Sequence, residues 1–249
     1  MNNHSYFQQK ERPLVLIGSR IGGLAGNSHF RAAKTGDDLA AVFLIQELLA
    51  QSFIDEIQGA IKGMDVIIQP VLGTEKGCDN KIPLALSVKI SSTLGVDQGL
   101  EIVQSTVSQR SSANGIDRLF TRPSFDGDVE AGRNYFIVDD TLSQGGTVVS
   151  LINFIESHGA NVVGCAVLSG KQYSAQLSLS IHTLEALREK YGTIESEFKS
   201  TTGYGFDALT ESEARYISKI NSLEAFRDRI AEAEDEGISE ANEGNAIRS

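Results

Sequence analysis

Residues 136–147 read FIVDDTLSQGGT, an apolar run that ends in two adjacent carboxylates and enters a turn rich in glycine and hydroxyls. Phe136, Ile137 and Val138 have the character of a strand buried in a parallel sheet, while Val148, Val149, Leu151, Ile152 and Ile155 continue behind the turn with helical spacing. The loop 143–147 therefore falls at a helix N-terminus. Unpaired N–H groups and the positive end of the helix dipole attract phosphate there, and Gly145 and Gly146 let the backbone come close to it. Asp139 and Asp140 accept hydrogen bonds when ionised, so they suit the vicinal hydroxyls of a ribose lying across the end of a sheet. The chemistry indicated is the binding of a sugar phosphate. The bland alternative, a strand-turn-helix with an Asp cap, requires neither both acids nor both glycines.

The string VDDTLSQGGT at 138–147 resembles the signature of type I phosphoribosyltransferases, which bind phosphoribosyl pyrophosphate (PRPP). The resemblance covers roughly residues 60–170. It implies that Asp139 and Asp140 address the ribose hydroxyls and, through ribose or water, a Mg2+ ion. It implies that Ser143, Gln144, Gly145, Gly146 and Thr147 hold the 5′-phosphate, with Gln144 departing from the commoner Thr or Ala, and that Thr141 is a further substrate-binding residue. The loop LGTEKGCDN at 72–80 occupies the place of a pyrophosphate loop, which makes Thr74, Lys76 and Gly77 candidates there. A lysine and backbone N–H groups beside a glycine would stabilise a departing diphosphate; the alternative for Lys76 is a solvated loop charge. Related enzymes carry a mobile loop between about 108 and 122, so Arg110, Arg118 and Arg122 are candidates, of which one or two would serve. Lys171, after the apolar run NVVGCAVLSG, is a candidate for contact with a base carbonyl, with Tyr173 available to stack; the alternative is a solvent-exposed lysine. The activity implied is transfer of the 5-phosphoribosyl group of PRPP to a nitrogen acceptor, expected to be a nucleobase, with release of pyrophosphate. A regulator that senses PRPP or a nucleotide through the same pocket is the alternative. A nucleotide kinase or hydrolase would require a GxxxxGK[ST] string, which the sequence lacks.

Composition narrows the remaining classes. With 249 residues, 41% hydrophobic, the chain can bury a sizeable core. Its net charge of −11 argues against general binding to nucleic-acid backbones or anionic lipid. No apolar run approaches the length of a membrane span and the first residues lack an apolar signal core, so a cytoplasmic protein without membrane association is expected. Cys78 and Cys165 do not make a disulfide framework, and four scattered histidines offer no zinc spacing. Cys78 has no nearby His to activate it as a nucleophile.

Strands expected near 13, 66, 102, 135 and 162 alternate with helices near 38, 82, 147 and 175. That order predicts an α/β fold with a mostly parallel central sheet flanked by helices, a phosphoribosyltransferase-like core with N- and C-terminal additions. The segment 18–27 reads as a glycine-rich connection and 37–62 as a long amphipathic helix, with a break near Ser52. LEIVQSTV at 100–107 reads as a strand, 174–192 as a helix and 193–207 as irregular. Thr210 and Glu213 form a capping box before a helical stretch at 214–233. The expected organisation is a helical or hood-forming extension over 1–60, a core over 61–192, a helical element over 193–235 and an acidic disordered tail over 236–249. A homodimer is expected, with a small-molecule acceptor as the second substrate.

Overall fold

The computed structural model describes residues 11–75, 78–105 and 117–233. Its frame is a five-stranded sheet in which every neighbouring pair is parallel. The sheet comprises β1 (Val15–Arg20), β2 (Val66–Pro70), β5 (Asp97–Gln98), β8 (Asn134–Leu142) and β9 (Asn161–Gly170), in the spatial order β1-β9-β8-β2-β5. Two antiparallel pairs lie outside it, β3 (Thr74–Glu75) with β4 (Cys78–Asp79) and β6 (Val103–Gln104) with β7 (Phe125–Asp126). The helices are α1 (Phe30–Lys34), α2 (Asp38–Leu48), α3 (Gln51–Ala60), α4 (Ile82–Leu94), α5 (Asp117–Phe120), α6 (Gly146–Ser157), α7 (Ile181–Tyr191), α8 (Glu195–Thr202) and α9 (Glu211–Ser218). A further helical segment runs over 223–233.

The sheet is parallel because both central strands return through helical crossovers, β2-α4-β5 and β8-α6-β9, which also bury its two faces. On one face Phe136, Val138, Ile68 and Leu168 pack with Leu44 and Ile45 of α2, Phe53 and Ile57 of α3, and Ile82, Leu86 and Ile90 of α4. On the other, Tyr135, Ile137, Cys165 and Val167 pack with Val148, Val149, Leu151, Ile152 and Ile155 of α6. Each such buried aliphatic side chain contributes about 1.5–3 kcal/mol relative to exposure, so the packing of α6 anchors the loop that precedes it. A third core, built from Leu184, Tyr191, Phe198, Phe206, Ile217 and Phe226 among others, holds α7–α9 and the last helical segment together.

Several elements differ from the sequence expectations, each for a local reason. The helix over 37–62 breaks at Leu49 and Ala50, both in extended conformation, so α3 can turn its buried face onto the sheet. Of the expected strand at 100–107, the described residues 100–105 contain only Val103–Gln104, and the sheet-forming residues lie earlier, at Asp97–Gln98. Gly99 explains the departure: its N–H donates to Ile68 O, and a Cβ there would lie 2.4 Å from Gln69 Oε1. The chain beyond it leaves the sheet. The helix expected at 174–192 begins only at Ile181, where Ser180 accepts the Thr183 N–H as a cap. The region 193–207 is not irregular but contains α8. The stretch 214–233 is interrupted between Ser218 and 223. The N-terminal segment contributes β1 as an edge strand beside β9, in addition to its helices. Among the described residues no helix is long and apolar enough to cross a membrane.

Candidate functional site

β2 and β8 are neighbours at the centre of the sheet, yet their crossovers diverge, one toward β5 and the other toward β9. A crevice opens where the order reverses, at the carboxyl ends of the two strands, and ligands of open α/β sheets bind there. Pro70 pairs with Val138 in register and Val71 N–H donates to Val138 O, so the loop after β2 emerges beside Asp139 and Asp140.

The two acids, adjacent in sequence, point to opposite faces of the sheet. Asp139 continues the face of Tyr135 and Ile137 and lines a pocket with Arg118, Thr141, the loop 143–147 and Glu213. The pocket measures ≈ 40 Å³, room for a few waters. Asp140 continues the face of Phe136 and Val138. Its carboxylate is 4% exposed, lies 3.0 Å from Lys34 Nζ of α1 and accepts from Asn80 Nδ2 at 3.1 Å. Asp139 Oδ1 in turn accepts the Asp140 N–H at 2.8 Å.

Loop 143–147 enters α6 through Gly145, whose φ of +89° is a left-handed conformation that favours glycine. A Cβ on Gly145 would lie 2.7 Å from Leu177 Cδ2, and one on Gly146 2.5 Å from Glu213 Oε1. Both glycines are therefore crowded by neighbours from the C-terminal half, and Gly145 is favoured by the turn as well. Arg118 NH1 donates to Ser143 Oγ at 2.9 Å, which brings one of the candidate arginines to the loop. Ser174 Oγ donates to Ser143 O, and Thr210 Oγ1 donates to Gln144 O, each at 2.7 Å.

Arg122 is engaged elsewhere. Its guanidinium pairs with Glu213, donates to Ala208 O at 3.1 Å and stacks on the Tyr204 ring, 4.0 Å from the centroid. Burial opposes the Arg122 charge, but the Glu213 carboxylate outweighs it and holds the group above the usual arginine range. Burial and then the like charge of Arg122 push Arg12 the other way. The Arg122–Glu213 pair stands directly behind Gly146, so it supports the loop from the outside. Lys171 follows β9 with Nζ 5.9 Å from the centroid of the exposed Tyr173 ring. Thr74 is described through its backbone pairing with Asp79. Lys76, Gly77 and Arg110 lie outside the described residues.

Sequence reasoning missed Lys34, Asn80, Ser174 and the involvement of Thr210 and Glu213 with the loop. The capping box itself was legible, but nothing in a linear pattern joins Thr210 to Gln144. Gln144 raises a separate point. Its side chain is buried, and among the described residues neither Oε1 nor Nε2 has a hydrogen-bond partner. A buried carboxamide without partners costs about 1–3 kcal/mol, so Gln144→Met, which keeps the shape and loses the polar atoms, should raise the urea midpoint. A lowered midpoint would show that the amide makes bonds in solution.

No group of three or more His, Cys, Asp or Glu suited to a metal occurs among the described residues. A magnesium ion would be held by Asp139 and Asp140 through ribose or water, with its other ligands from phosphates and water. That is an ordinary arrangement for an ion that dehydrates reluctantly.

Several known proteins are similar to this chain. Protein TraN of Escherichia coli is 34% identical over 228 residues, covering 91% of this chain and 51% of that one. An uncharacterized protein of Haemophilus influenzae is 31% identical over 143 residues, 57% of this chain and 32% of its own. The chain thus spans about half the length, or less, of these curated relatives. Adenine phosphoribosyltransferase from Rhodothermus marinus overlays at a TM-score of 0.35 with 16% identity, over 52% of this chain and 74% of that one. The model of the phosphoribosyl transferase domain matches residues 81–181, which include α4, β8, the loop 143–147, α6 and β9. Over that stretch the chain is similar to the phosphoribosyl transferase domain.

Proposed function

We propose that this chain transfers the 5-phosphoribosyl group of PRPP to a nitrogen acceptor, a nucleobase being the expected class, and releases pyrophosphate. The observation that carries the reading is one pocket in which Asp139, Arg118 and the helix-N-terminal loop 143–147 meet at the reversal of a parallel sheet. The loop amides and Thr147 receive the 5′-phosphate, and Asp139 faces the ribose. The bond between the anomeric carbon and the diphosphate oxygen breaks with its electron pair going to oxygen. The acceptor nitrogen supplies the pair for the new bond, and its proton passes to solvent. Positive charge grows on the sugar during this exchange, beside the Asp139 carboxylate, and negative charge grows on the diphosphate. Lys76 and Arg110 are proposed for the diphosphate, and Lys171 with Tyr173 for the acceptor. Magnesium, bound chiefly by the substrate, would offset the leaving group's charge.

The test is to incubate the protein with PRPP, magnesium and a panel of bases, following pyrophosphate release and thermal unfolding together. Release with at least one base is expected, and saturating PRPP should raise Tm, because a ligand bound only by the folded state at about a hundredfold its Kd adds about 2.7 kcal/mol. Stabilisation by PRPP without turnover would assign the pocket to sensing. Indifference to PRPP, ribose 5-phosphate and nucleoside monophosphates alike would remove the reading.

A further inference from the structure

We propose that Thr210 and Ser174, two buried hydroxyls from the C-terminal half, are positioning residues that fix which way the phosphate loop aims its amides. The inference rests on the phosphoribosyl reading of that loop. Ser143 O and Gln144 O are consecutive carbonyls, and each receives one hydroxyl from behind, Ser174 Oγ and Thr210 Oγ1 respectively, both at 2.7 Å. Across a planar trans peptide the C=O of one residue and the N–H of the next point in opposite directions. Pinning those two carbonyls therefore aims the Gln144 and Gly145 N–H groups away from Ser174 and Thr210.

Each hydroxyl is itself oriented. Thr210 Oγ1 accepts the Glu213 N–H at 3.0 Å within the capping box of α9, and its single proton is then directed to Gln144 O. Ser174 Oγ lies 3.0 Å from Ser212 Oγ; with its own proton on Ser143 O, it accepts from Ser212. Thr210 and Ser174 are fully buried, so water does not compete for either proton. The cap that starts α9 and the clamp on the loop are one hydrogen-bonded unit. Thr210 and Ser174 accordingly act on the affinity of the site through the loop backbone.

The experiment compares Thr210→Val, which keeps shape and removes the hydroxyl, with Thr210→Ser, which restores it, and with Ser174→Ala. Ile217→Val, in the same helix but within the third core, serves as the control for lost stability. Binding of ribose 5-phosphate is measured by calorimetry at a temperature where all variants are folded, and exchange of the Gln144 and Gly145 amides is followed by NMR. Thr210→Val and Ser174→Ala should raise Kd about fivefold to tenfold, the scale of one hydrogen bond. Thr210→Ser should lie near the parent, and Ile217→Val should lower Tm at unchanged Kd. Unchanged affinity in both Thr210→Val and Ser174→Ala, or equal weakening by Ile217→Val, would overturn the proposal. Should the parent protein itself ignore ribose 5-phosphate, the phosphoribosyl reading fails, and amide exchange alone decides the clamp. Faster exchange at Gln144 and Gly145 in Thr210→Val but not in Thr210→Ser upholds it, and unchanged exchange overturns it.

Discussion

Arg122→Ala is expected to lower stability by about 3–5 kcal/mol, the cost of leaving one member of a buried ion pair without its partner. Glu213 is 1% exposed, so its carboxylate cannot turn to water when the guanidinium is removed. The same substitution strips Ala208 O of a donor and the Tyr204 ring of its cation. Urea unfolding followed by far-UV circular dichroism would register the loss as a lower midpoint. The pairing can be separated from mere volume by the double variant Arg122→Met, Glu213→Gln. It removes both charges, and Gln can still accept the Thr210 N–H that Glu213 now receives at 2.8 Å. Most of the stability should return, because an apolar replacement of a buried pair is often neutral. A double variant no more stable than Arg122→Ala would show that shape, and not the uncompensated charge, dominates.

The pairing of Arg122 with Glu213 shows where linear reading stops. The strand, the acids, the two glycines and the start of α6 were legible because they are local: a buried apolar run, a positive-φ glycine and helical spacing all lie within twenty residues. The parallel sheet was legible from the alternation of apolar runs with helical patterns. Arg122 finds Glu213 across 91 positions and Thr210 finds Gln144 across 66, and no periodicity encodes such distances. Composition also misled at α8. ESEFKSTT is polar, and it is helical because Phe198 alone reaches the third core, where it meets Phe206, Phe226 and Tyr204. At 100–107 an apolar run suggested a strand, but among the described residues beyond Gly99 only Val103 rejoins the parallel frame, through a single bridge to Leu72.

The adjacent carboxylates were given one role from sequence, although the period of two along a strand already sets them on opposite faces. On the proposed function, Asp139→Asn should lower turnover by roughly a hundredfold to a thousandfold, the range for removing one preorganised group that stabilises transition-state charge. Stability should hardly change, because the amide oxygen of Asn can still accept the Asp140 N–H as Asp139 does now. The effect should appear mainly in kcat, since the charge it opposes develops on the sugar only as the bond to diphosphate breaks. Asp140→Asn should behave in the opposite sense. It leaves Lys34 beside a neutral amide in a largely buried setting, at a cost of about 1–3 kcal/mol, and affects turnover chiefly through displacement of α1 and the Asn80 loop. Steady-state kinetics and thermal unfolding of the two single variants would read both quantities. Equal loss of turnover at equal stability would place both acids on the substrate and require Asp140 to release Lys34 when PRPP binds. Unfolding of Asp139→Asn with no specific kinetic defect would make Asp139 a structural acceptor, and the charge opposite the sugar would have to come from another group.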